Sequence, residues 1–235
     1  MANSYAELAR YYDLIMTSGY YDHDAYAHEL APLIEDRHDV LELGVGTGLA
    51  CERLLPLVPD HVRFTGVDHT ASMLTRARAR LGDRVRLVHQ DVLTMAPGPA
   101  FDVAYSVGGV WLWLGDADRA DLGSHLLDDG DNAKGLANVA AALRPGGLLL
   151  LSVQEAHRPY RRPLPGGLVY AQEVGEREDG RITKDYYVLR DDTVLAHQRS
   201  TYRVFPEADA DRLLAGAGFR PLGETATRFR PYVRG

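Results

Sequence analysis

Five short apolar runs separated by helix-length segments constrain this chain more than anything else in it. DVLELG (39–44), VRFTGV (62–67), VRLVHQ (85–90), FDVAYSV (101–107) and GLLLLSV (147–153) are each of strand length. Between them, residues 48–56, 70–81 and 132–143 read as helices. Strands that alternate with helices and are apolar along most of their length belong to a parallel sheet covered on both faces. The spacing predicts an α/β, doubly wound, Rossmann-like sheet.

The two ends depart from that alternation. Residues 1–38 repeat Leu8, Tyr11, Tyr12 and Ile15, then Tyr26, Leu30, Leu33 and Ile34, at helical spacing, and are read as an N-terminal helical lid. GLVYAQEV (167–174), RITKDYYVL (181–189) and TVLAHQRSTYRVF (193–205) follow one another with turns such as EREDG and RDD between them. Consecutive strands with short turns predict an antiparallel meander over 165–205, inserted into one domain spanning 1–235. A helix over 206–217 and strand material over 219–233 complete the chain.

LELGVGTG (41–48) joins the first strand to the first helix. Glycines at such a corner let a ligand approach the backbone closely, since no Cβ intervenes. The spacing Gly44, Gly46, Gly48 is G-x-G-x-G, whereas a dinucleotide site wants G-x-G-x-x-G. The Lys-Ser/Thr ending of a phosphate-binding loop is also missing. Twenty residues on, Asp68 ends the second strand, where a carboxylate can accept both ribose hydroxyls. A second acid, Asp91, follows the third strand in HQDVL, where it can accept from an exocyclic adenine amine. LRPGG (143–147) then turns a helix into the fifth strand.

In this set and order the chain resembles the class I S-adenosylmethionine-dependent methyltransferases. VLELGVGTG is similar to that family's first motif, GVDHTASML to its second-strand acid motif, HQDVL to its adenine motif and LRPGG to the motif before the fifth strand. The resemblance implies a seven-stranded, mostly parallel sheet of order 3-2-1-4-5-7-6 with the last strand antiparallel, and S-adenosylmethionine as cofactor. It implies that Glu42 and the backbone of Gly44, Val45, Gly46 and Gly48 face the methionine part. Asp68, flanked by His69 and Met73, would hold the ribose; Asp91 and Val92 would take the adenine edge, and Ser106 would close the set.

The acceptor side is read from the lid and the segment after the fourth strand. Tyr5, Tyr11, Tyr12, Tyr20, Tyr21 and Tyr26 crowd the first thirty residues, and one of Tyr11, Tyr12, Tyr20 or Tyr21 is expected to cap the cofactor or substrate. In SVGGVWLWLGD (106–116), Trp111 and Trp113 are expected to wall an apolar pocket, with packing under the following loop as the other reading. His157, just past the fifth strand, and Tyr12 are the candidate catalytic groups. A histidine there would be a base near neutral pH, or else an exposed loop residue. Arg158, with Arg161 and Arg162, could hold an anionic part of the substrate or form a solvated turn.

The YYDLIM start and the stretch from DYYVL to AGAGF are similar to bacterial small-molecule methyltransferases, including amino-sugar N,N-dimethyltransferases. That likeness implies a natural-product setting, a homodimer built on the meander, and nitrogen as the favoured nucleophile, with O- or C-methylation as the alternative. The chain departs from it at Trp113, where those enzymes carry a histidine.

Composition trims the alternatives. A net charge of −7 argues against nucleic-acid or membrane-surface partners. The one cysteine, Cys51, forbids an intramolecular disulfide, the first residues lack a signal-peptide pattern, and a cytoplasmic setting is expected. The nine histidines show no metal-ligand spacing, so no metal is expected. A nucleic-acid or protein methyltransferase would want an NPPY-type motif where the chain reads SVGGVW, and an NAD oxidoreductase has no general need of Asp91. A protein of this fold that transfers no methyl group stays open.

Overall fold

A computed structural model describes residues 8–95, 100–115, 120–223 and 227–235; Tyr5 and Asp116 lie outside them. The strands are β1 (Asp39–Leu43), β2 (Arg63–Asp68), β3 (Val85–His89), β4 (Phe101–Ser106), β5 (Trp111–Gly115), β6 (Ala120–Ser124), β7 (Leu143–Gln154), β8 (Tyr160–Leu164), β9 (Leu168–Val174), β10 (Arg181–Arg190), β11 (Thr193–Phe205), β12 (Phe219–Pro221) and β13 (Phe229–Arg234). The helices are α1 (Ala9–Ile15), α2 (His23–Ile34), α3 (Leu49–Leu54), α4 (Ala71–Leu81), α5 (Asp129–Ala142) and α6 (Glu207–Gly216).

The first four strands and β7 run parallel in the order β3-β2-β1-β4-β7. Both faces are covered. Leu41, Leu43, Leu149 and Leu151 join the core that includes Leu136 and Val139 of α5, while Val40, Val103 and Leu150 join the one that includes Leu30 and Ile34 of α2. Period-2 alternation thus fills two cores from one apolar strand.

β7 is twelve residues long and serves two neighbours on its far edge. Residues 148–152 pair antiparallel with β13, which in turn pairs with β12, so the α/β half reads β3-β2-β1-β4-β7-β13-β12. Residues 153–154 pair instead with β5, and the ladder continues β5-β6-β11-β10-β9-β8. The expected scheme held no β5 and β6, and it began the meander at 165 rather than at β8. The reason lies in β11. Of its thirteen residues, Arg203 still pairs with β10 while Arg203, Val204 and Phe205 pair with β6 on the other side, so the added sheet fuses with the main one.

Trp111 and Trp113 correct the expectation of pocket walls. Both are fully buried in the core between β5, α5 and β13. The Trp111 indole N–H donates to Asn132 Oδ1 at 2.8 Å, and the Arg230 guanidinium lies 4.2 Å from the Trp113 ring centroid. Among the described residues no helix is long and apolar enough to cross a membrane.

Candidate active site

The carboxyl ends of the parallel strands meet at the glycine loop. Gly44, Gly46 and Gly48 have φ of +70°, +56° and +82°, a region that side chains with a Cβ rarely adopt. A Cβ on Gly44 would lie 2.9 Å from Gly109 Cα, so the two backbones touch. Above Gly46 the nearest side-chain atom is the Tyr12 hydroxyl, 3.9 Å from where a Cβ would stand. Val45 is turned down onto Gly66. The result is a bare backbone cradle roofed by a phenol.

Two carboxylates stand at the expected strand ends. Asp68 is 9% exposed; its Oδ2 accepts from Gly46 N at 2.9 Å and its Oδ1 from Thr70 N at 2.8 Å. Asp91 Oδ1 accepts from Leu93 N at 2.9 Å, and Val92 is buried behind it. The His69 ring lies 3.9 Å from Asp68, Met73 is buried beneath, and Ser106 Oγ is buried with no partner among the described residues. An adenosyl group with its ribose fits this donor and acceptor set, with Asp68 and the 44–48 backbone as its holders. Among the described residues no group of three metal-ligating side chains occurs.

Glu42 differs from its expected role. It is 3% exposed and accepts from the Tyr105 hydroxyl at 2.9 Å beneath the loop. Burial pushes its carboxyl up to about 8, so it is chiefly neutral at pH 7 and serves the core.

The lid lies across the loop because Asp13, which sequence reasoning overlooked, anchors it. Asp13 Oδ1 accepts from Thr47 Oγ1 at 2.6 Å and Oδ2 from Arg80 at 3.0 Å, while Arg80 also donates to Thr47 O. Arg162 donates to Ser18 O at 2.7 Å from the other side, and Gly19 at φ +89° ends the lid turn. Losing a half-buried, charge-assisted contact of this kind costs about 1–2 kcal/mol. Asp13→Ala is therefore expected to speed cofactor dissociation roughly tenfold, read by stopped-flow fluorescence; an unchanged rate would detach the lid from the cofactor loop.

Between the lid and the second sheet sits a small closed chamber. Tyr12, Met16, Tyr20 and Tyr21 form its lid side, Gly108 and Leu112 its floor, and His125, His157, Tyr186 and Tyr202 its far wall. An open groove of about 1290 Å³ shares Tyr20, Tyr21 and His157 with it. Arg158 borders that groove with its side chain 78% exposed, facing solvent near Glu155, and Tyr11 stands outside the chamber under Arg10. The Tyr21 hydroxyl donates to Gln154 Oε1 at 2.9 Å directly over Gly108.

His157 reaches the chamber, yet its basicity is not the one expected. Burial lowers it to about 3 and His125 to about 4. Both are neutral at pH 7 and are poor proton acceptors for a hydroxyl. Lys184 was also overlooked. It is fully buried behind Tyr20, to whose hydroxyl it donates, and burial lowers it to about 7.

Residues 40–147 match the protein family described as a methyltransferase domain. Over that stretch the chain is similar to the class I S-adenosylmethionine-dependent methyltransferases. The chain is 32% identical over 145 residues to a trans-aconitate 2-methyltransferase of Paracidovorax citrulli, covering 57% of this chain and 48% of that one. It is 26% identical over 176 residues to malonyl-[acyl-carrier protein] O-methyltransferase 2 of Ilyobacter polytropus, covering 69% and 61%. The first of these matches takes in about half of the relative's length. Among solved structures, an S-adenosylmethionine-bound amino pentose methyltransferase of Micromonospora echinaspora gives a TM-score of 0.71 at 21% identity, over 95% of this chain and 96% of that one. A sugar N-methyltransferase of Streptoalloteichus gives 0.69 at 21%, over 95% and 92%. At such identities these two share the fold.

Asp68→Ala removes the acid at the expected ribose end. Cofactor affinity is expected to fall at least roughly tenfold, the worth of one charge-assisted hydrogen-bonded group. Unchanged affinity by calorimetry would withdraw the ribose assignment.

Proposed function

We propose that this chain moves a methyl group from S-adenosylmethionine to a small-molecule acceptor held in the tyrosine-walled chamber. The observation that carries the reading is continuity: Tyr12 roofs the Gly46 backbone and also walls the chamber. When bound, S-adenosylmethionine supplies a methyl group already activated by positive sulfur. The chain's part is then to bind, align and exclude water. Tyr12, Tyr20 and Tyr21 close the chamber, which keeps only about 20 Å³ free. Acceptor entry accordingly requires the lid turn to swing toward the groove, against the Asp13 anchor.

With both imidazoles held neutral and weakly basic, the chamber suits a nucleophile that needs no strong base. A neutral amine is favoured, supported by the fold shared with a sugar N-methyltransferase. An oxygen that enters already ionised is the second reading, since no base is then needed. A natural-product role is supported by a neighbour of the same fold from calicheamicin biosynthesis. A homodimer built on the outer meander should scatter light as about twice 26.0 kDa, and a monomeric mass would reject it.

The testing experiment incubates the protein and methyl-labelled cofactor with a bacterial metabolite extract and follows the label by mass spectrometry. Label in a small molecule supports the reading. Label only in protein or nucleic acid, or in nothing, overturns it.

A further inference from the structure

The most enclosed cation in the second sheet has no acid beside it. On β10, Ile182, Lys184, Tyr186 and Val188 share one face, and Lys184 is fully buried there. Its Nζ donates to the Tyr20 hydroxyl and lies 5.0 Å and 4.9 Å from the Tyr20 and Tyr186 ring centroids. Elsewhere the chain's partly buried cations meet carboxylates, as in Arg80 with Asp13 and Arg144 with Asp102. Among the described residues no carboxylate pairs with Lys184, and none lines the chamber.

Two donors border the chamber. Tyr20 Oη accepts from Lys184, which leaves its own proton to be donated elsewhere, and Tyr20 walls the chamber. On the floor side, Gln154 is 8% exposed and its Nε2 has no partner among the described residues. That nitrogen lies 3.1 Å from the Cβ position of Gly108, a chamber residue. Among the described residues, a buried amide donor without an acceptor and a buried lysine without a counter-charge are costly for a fold to keep.

We propose that the methyl acceptor is a carboxylic acid, its carboxylate received by the Tyr20 hydroxyl with the Lys184 ammonium behind it. The inference rests on the methyl-transfer reading of the same site. A carboxylate supplies the missing counter-charge whichever atom of the acceptor takes the methyl group. An acceptor whose only charge is a protonated amine meets Lys184 with like charge and no compensating acid. Burial lowers Lys184 to about 7, so an anion received at the Tyr20 hydroxyl in front of it draws the lysine toward its ammonium form.

The test divides a metabolite extract on an anion exchanger at about pH 10, where carboxylates keep their charge and α-amino groups have lost most of theirs. Retained and unretained fractions are each incubated with the protein and methyl-labelled cofactor, and a phosphatase-treated portion of the retained fraction is run beside them. Label is expected in the retained fraction and unaffected by phosphatase. Against the acceptor so isolated, Lys184→Met is expected to raise KM at least tenfold while cofactor affinity changes less than twofold and the melting temperature does not fall. Label in the unretained fraction, label abolished by phosphatase, or an unchanged KM in Lys184→Met overturns the carboxylate. Label in no fraction instead removes methyl transfer itself, and this inference with it.

Discussion

Gly44→Val is expected to abolish measurable cofactor binding and to lower the stability of the whole domain. Position 44 has φ +70°, which costs an ordinary residue about 1–2 kcal/mol and a β-branched one more. The new Cβ would stand 2.9 Å from Gly109 Cα and 3.4 Å from Val110 N, and both are backbone atoms that cannot step aside. The reciprocal contact is tighter still: a Cβ on Gly109 would meet the Leu43 carbonyl oxygen at 2.3 Å. Strain and overpacking together are on the order of 3–5 kcal/mol. For a chain of this size that lowers Tm by roughly 6–20 °C. Since the same backbone is the proposed cradle, affinity for S-adenosylhomocysteine should fall at least about a hundredfold. A variant that melts and binds like the parent would mean that the loop can open without cost.

Lys184→Met carries the opposite sign. Burial lowers the lysine from 10.5 to about 7. Between those values the unfolded chain holds a proton that the folded chain has released, so stability rises with pH across that window. At pH 7 and below, the buried ammonium costs on the order of 3–5 kcal/mol, partly returned by the Tyr20 contact and the two ring faces. Methionine removes the charge and keeps the length. The variant is therefore expected to be more stable than the parent by about 2–4 kcal/mol at pH 7, with the gain fading toward zero by about pH 10.5. Denaturant unfolding at both pH values reads it. A loss of stability at pH 7 would make Lys184 a structural cation and undercut its role toward an anionic acceptor.

What was legible in the sequence follows from how local each signal is. Strands β1 to β4 carry their own apolar pattern, and Asp68 and Asp91 sit at strand ends fixed by that pattern, so this half of the fold could be read directly. WLWLG could not be resolved in the same way, because an apolar run looks the same whether it walls a pocket or fills a core. It became β5 through contacts distant in sequence: Val153 beside Trp113, and Asn132 beneath Trp111. Asp13 acquires its role only from Thr47 and Arg80, brought to it by the fold. Lys184 did leave a signal that went unused. In RITKDYYVL it alternates with Ile182, Tyr186 and Val188, so the period of a strand places a lysine on an apolar face. The depressed basicity of His157 has no counterpart in sequence, since it comes from burial in a chamber assembled by segments far apart in the chain.

The central claim is that the bare loop at 44–48 and the acid at 68 hold an adenosyl amino acid rather than a dinucleotide. Calorimetric titration of the protein with S-adenosylhomocysteine and, separately, with NAD tests it most directly. One S-adenosylhomocysteine site per chain is expected, weakened at least about tenfold by Asp68→Ala, with no heat from NAD. Saturable NAD binding with none for S-adenosylhomocysteine would contradict it.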